Sequence, residues 1–97
     1  MMTLKEKCLK VAAQTGKFIE EHKLATNAEV RIRIWPDDNR NGKYAASTTC
    51  MAKNYTKPLK EILELTEKYP GGISIKVFGP TIEDFNIDTN EIEDEVA

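Results

Sequence analysis

The run with the most chemical promise is Asp37-x-Asn39-x-Asn41-Gly42, which matches the first half of a calcium-binding loop. Calcium takes roughly six to eight oxygens, and alternating Asp and Asn side chains in a turning loop can supply about three. The pattern fails where the bidentate Glu belongs, because Thr48 stands there. Turn chemistry accounts for the same letters, and Asn41-Gly42 predicts a tight hairpin.

Other reactive residues are isolated. His22 is the only histidine. It falls at the expected end of a helix, where an imidazolium interacts favourably with the helix dipole. One histidine rules out a multi-histidine metal site and argues against a catalytic triad. Cys8 and Cys50 form no C-x-x-C, and nothing beside Cys50 in the sequence would lower its pKa, so both are read as reduced thiols. Gly71-Gly72 follows a helical pattern, whereas a phosphate-binding turn should precede one. No spacing marks a pair of carboxylates for acid–base work. These readings predict no enzyme, no metal and no cofactor.

Six elements, with a short acidic helix after them, are expected to position what remains. Residues 3–22 read as a helix, with Leu4, Cys8, Val11, Thr15, Phe18 and Ile19 on one face and a Thr3–Glu6 capping box. Residues 28–35 alternate, with Val30, Ile32 and Ile34 on one side and Arg31, Arg33 and Trp35 on the other. Residues 43–51 read as the return strand of a hairpin, although their small side chains select no face. A second helix is expected over 57–69, with Thr56 as N-cap and Pro58 in its first turn. Ile73, Ile75 and Val77 then alternate with Ser74, Lys76 and Phe78. Phe85 and Ile87 suggest a fourth strand near 84–88, and Asn90 a cap for a short acidic helix.

The expected fold class is α+β, a two-layer sandwich with two helices on one face of a small, mostly antiparallel sheet of three or four strands. The order α-β-β-α-β(-β) matches a circularly permuted ferredoxin-like arrangement, with the last strand antiparallel to 73–78. Residues 1–80 are expected to form a single domain, and 81–97 an acidic C-terminal segment serving as strand, tail or both. The charged N-terminus predicts no secretory leader. No run approaches the ~20 apolar residues of a membrane span, so no membrane association and a cytoplasmic location are expected.

Charge is distributed unevenly along the 97 residues. All fourteen Lys and Arg lie within 1–76 against nine acids, leaving that stretch at +5. The remainder carries seven acids and no base: Glu83, Asp84, Asp88, Glu91, Glu93, Asp94 and Glu95. Asp84, Asp88 and the 91–95 cluster are expected either to fold back over Arg31, Arg33 and Lys76 or to project away, where such a segment favours basic partners by steering and complementarity. The leading expectation is therefore a small non-enzymatic binding protein, a regulator or inhibitor that engages a basic, nucleic-acid-handling protein through these carboxylates. The alternative expectation uses the other side of the sheet. There Arg31, Arg33, Trp35, Lys76 and Phe78 would present cations beside rings, a combination that suits single-stranded nucleic acid, and Tyr44 could join them. The same face would also suit burial against a second copy, as a homodimer.

Overall fold

The computed structural model describes residues 2–40, 42–80 and 82–92. Helix α1 spans Leu4–Glu21 and begins at the expected capping box. The Thr3 hydroxyl accepts from the Glu6 amide (3.1 Å), and the Glu6 carboxylate accepts from the Thr3 amide (3.2 Å). Its buried stripe is Cys8, Val11, Thr15 and Ile19. Thr15 stays satisfied by donating to the Val11 carbonyl (2.8 Å). Beyond its C-cap, His22, Lys23 takes a left-handed φ of 54°, and the Leu24 amide closes back on Ile19 (3.0 Å).

Strands β1 (Glu29–Ile34), β2 (Ala46–Met51), β3 (Ile73–Phe78) and β4 (Phe85–Asp88) form one sheet in the order β2-β1-β3-β4. Every neighbouring pair is antiparallel. Helix α2 (Thr56–Leu63) connects β2 to β3, and both helices pack on the same face. The protein is thus an α+β two-layer structure with two helices over a four-stranded antiparallel sheet. The element order is the expected one, and the last strand does run antiparallel to 73–78, placed at the sheet edge beside β3.

Alternation in β1 and β3 positions the core. Val30, Ile32, Ile34, Ile73, Ile75 and Val77 are all buried beneath the helices, joined by Ile87, Leu59 and Ile62. Each such side chain contributes roughly 1.5–3 kcal/mol on removal from water, which makes this row the main source of stability. Phe85 falls on the helix side as well and stacks on Phe18, with ring centroids 4.3 Å apart. Among the described residues no helix is long and apolar enough to cross a membrane.

Three local expectations are corrected. Pairing of β1 with β2 ends at Ile34–Ala46, so the two strands are not closed by a tight two-residue hairpin; Asn41 of the expected Asn41-Gly42 turn lies outside the described residues. Pro36 breaks the strand, and the Asp37 carboxylate accepts from the Asn39 and Arg40 amides, folding the chain into an Asx turn well before Gly42. Helix α2 is shorter than 57–69, its N-cap is Tyr55 rather than Thr56, and residues 64–68 continue as turns. Finally, Asn90 lies inside a short turn after β4 (Thr89–Glu91) that Asp88 caps, the Asn90 amide donating to the Asp88 carboxylate (2.9 Å), and most of the acidic helix expected after Asn90 lies outside the described residues.

Candidate functional site

The face of the sheet opposite the helices is open and polar. Register fixes its rows, because directly opposed residues in an antiparallel pair point the same way. Arg31 lies between Thr49 and Lys76, and Lys76 faces Asn86. Arg33 lies between Ser47 and Ser74, and Ser74 faces Asp88. Glu29 lies between Met51 and Phe78. The sheet therefore brings Arg31, Arg33, Lys76 and Phe78 together on one surface. The two arginines, two residues apart on β1, stand about 7 Å from each other along the strand.

Trp35 follows β1 and prolongs its pairing. Its amide donates to the Gly72 carbonyl, and its carbonyl accepts from the Gly71 amide, both at 3.0 Å. This close approach is what Gly71-Gly72 permits: a Cβ on Gly71 would sit 2.3 Å from the Asp37 carbonyl oxygen. Gly72 has a φ of +87°, and a Cβ there would meet the Thr89 hydroxyl at 2.1 Å.

An aromatic corner results. The Trp35 and Tyr44 rings meet edge-on at 5.9 Å, the Arg33 guanidinium lies 4.5 Å from the Tyr44 ring centre, and that of Arg40 lies 5.1 Å from the Trp35 ring centre. Such cation–ring contacts are worth about 0.5–2 kcal/mol each. At the opposite end Lys76 leans over Phe78, 5.6 Å from the ring centre.

The charges fall into two groups. Lys76 pairs with Asp84 (3.1 Å), and Arg40 forms a two-pronged pair with Asp88 while also donating twice to the Gly71 carbonyl (2.9 and 3.1 Å). Arg31 and Arg33, both half-buried, have no carboxylate partner among the described residues. The Arg33 Nε and the Trp35 Nε1 are buried donors that find no acceptor among those residues. Arg31 also lines a shallow pocket of about 160 Å³ with Ser74, Lys76, Asn86, Asp88 and Glu91. Arg31 and Arg33, without a carboxylate partner among the described residues, give this face the chemistry to hold an anion that accepts hydrogen bonds.

The acidic residues expected to bind a protein partner flank this face. Asp84 and Asp88 are engaged with Lys76 and Arg40, whereas Glu83 and Glu91 are exposed. Glu93, Asp94 and Glu95 lie outside the described residues. Arg40 escaped sequence reasoning altogether. Its partner is 48 positions away, and no local pattern announces the pair.

The remaining candidates have structural roles. Asp37 turns its carboxylate into its own loop, and among the described residues no cluster of three His, Cys, Asp or Glu could hold a metal. His22 Nδ1 donates to the Phe18 carbonyl (3.0 Å), and its ring stacks on Phe18 at 4.2 Å. Cys8 is fully buried in the core, and burial pushes its thiol up to about 11; burial also raises Cys50. Neither is poised as a thiolate nucleophile. The chain matches no family model, no curated protein and no solved structure.

Proposed function

We propose that this protein is a non-enzymatic binding module that holds a single-stranded nucleic acid on the open face of its sheet. The observation that carries this reading is the pair of half-buried arginines at the centre of that face, Arg31 and Arg33, which lack counter-charges among the described residues. Phosphate oxygens would supply the negative charge that the two guanidiniums lack and accept hydrogen bonds from them. Ser47, Thr49, Ser74 and Asn86 surround the arginines with further hydrogen-bonding groups. Trp35 and Tyr44 offer rings at one end, where an unpaired base can stack.

Fluorescence anisotropy with labelled single-stranded DNA and RNA at low salt tests the proposal. Arg31→Ala with Arg33→Ala is expected to weaken binding at least tenfold with an unchanged circular-dichroism spectrum. The salt slope should fall by about 1.4, since each single-strand phosphate contact contributes roughly 0.7. Equal affinity of the variant and the parent would remove the open face from consideration.

A second reading has one observation in its favour. Glu83 and Glu91 are exposed near β4 with no cation paired to them among the described residues, as a contact for a basic protein would require. On that reading, charge reversal at Glu83 and Glu91 abolishes capture of a basic protein partner, and nucleic acid does not bind.

A further inference from the structure

The two edges of the sheet are guarded differently. Beside β4 stand Glu83, Asp84, Asp88 and Glu91, and charge at an edge discourages another strand from pairing there. Strand β2 forms the other edge, and its sequence Ala-Ser-Thr-Thr-Cys-Met contains no charge, no proline and no glycine. From Tyr44 to Ala52 no Lys, Arg, Asp, Glu or Pro interrupts the run. Among the described residues no strand pairs with its outer side.

Backbone directions on β2 follow from the ladder. The Ala52 amide donates to the Ala28 carbonyl (2.9 Å), one step beyond the Met51–Glu29 pair. Inward-facing amides and carbonyls therefore belong to Ala46, Thr48 and Cys50, whereas those of Ser47, Thr49 and Met51 point away from the sheet. An approaching strand would find alternate donors and acceptors over the whole length of β2, with small side chains on both faces up to Cys50 and a longer one only at Met51.

We propose that β2 pairs antiparallel with β2 of a second copy, joining two sheets into one of eight strands. A second copy fits because pairing about a two-fold axis is self-complementary and sets no like charges within the strand against each other. Matching faces require residues of like parity to oppose one another, so Ser47, Thr49 and Met51 of each copy supply the new hydrogen bonds. The dimer would place Arg31 and Arg33 of both copies on one continuous surface. The proposal does not depend on what that surface binds.

Light scattering behind size exclusion, run on the full chain over a concentration series, is expected to give twice the 11.0 kDa chain mass, falling toward one on dilution. Thr49→Pro removes an outward amide and no bond within the subunit, so it should give a folded monomer at every concentration. Amide exchange provides a test that needs no variant. Ser47, Thr49 and Met51 should exchange slowly in concentrated samples and rapidly in dilute ones, while Thr48 and Cys50 stay protected in both. A monomer at all concentrations, a dimer that a folded Thr49→Pro leaves intact, or rapid exchange at 47, 49 and 51 in a concentrated dimer would each overturn the proposal.

Discussion

Replacing Arg40 with Ala should destabilise the protein far more than its loop position suggests. The guanidinium spans Asp88 and the Gly71 carbonyl, tying the 35–45 excursion to the end of β4 and the entry to β3. Its side chain and that of Asp88 are only 16% and 21% exposed. Breaking a fully buried pair costs about 3–5 kcal/mol, because the remaining charge stays desolvated. Partial access to water lowers this figure, and the Asn90 amide still serves the Asp88 carboxylate. A loss of about 3 kcal/mol follows, made up mainly by charge-assisted bonds of roughly 1.5–3 kcal/mol that do not add fully. In a domain of this size each kcal/mol moves Tm by about 4–8 °C, so a fall on the order of 15 °C is expected. Urea unfolding followed through Trp35, the only tryptophan, gives the measurement. Arg40→Lys should recover less than half, since an ammonium cannot bridge both acceptors. A loss below about 1 kcal/mol for Arg40→Ala, within the range of an ordinary surface pair, would refute the reasoning.

Two further outcomes follow from the core and its borders. Gly72→Ala should cost at least about 2 kcal/mol by thermal melting, because it strains a left-handed backbone and displaces the Thr89 hydroxyl from the Ile73 amide. Cys8 makes stability fall at alkaline pH: its folded thiol is raised from 9.0 to about 11, so the unfolded chain loses that proton first. The contribution is intact below pH 9 and is lost as pH rises toward 11. Urea titrations across that window should show the Cys8→Ala variant losing less stability than the parent.

Local patterns made much of this fold legible. The Thr3–Glu6 box, the stripe of α1 and the alternation of β1 and β3 are dictated by neighbours three or four residues away, or by a period of two, and each stands where the spacing put it. Phe85 and Ile87 likewise marked β4. What the sequence concealed depends on distant partners. Asn41-Gly42 carried the strongest turn signal, yet the excursion follows Asp37 and the reach of Arg40 to Asp88. Strand β2, with Ala, Ser and Thr on either side, had no hydrophobic pattern to define its ends and takes its register from β1. For the site, alternation alone placed Arg31, Arg33, Lys76 and Phe78 on one face. The acidic segment allowed for a fold-back of Asp84 onto Lys76, but it could not reveal that Asp88 would engage Arg40 and leave the two arginines of β1 without a carboxylate among the described residues.

The most direct test titrates a mixed-sequence single-stranded oligonucleotide into isotope-labelled full chain at low salt, following amide, guanidinium and indole resonances. Binding on the open face predicts shifts at Arg31, Arg33, Ser74, Lys76 and the Trp35 indole, reversed by added salt, with the surface of α1 unaffected. No shifts at oligonucleotide concentrations well above roughly 10⁻⁴ M, where even weak non-specific binding saturates, or shifts confined to the helical layer, would contradict it.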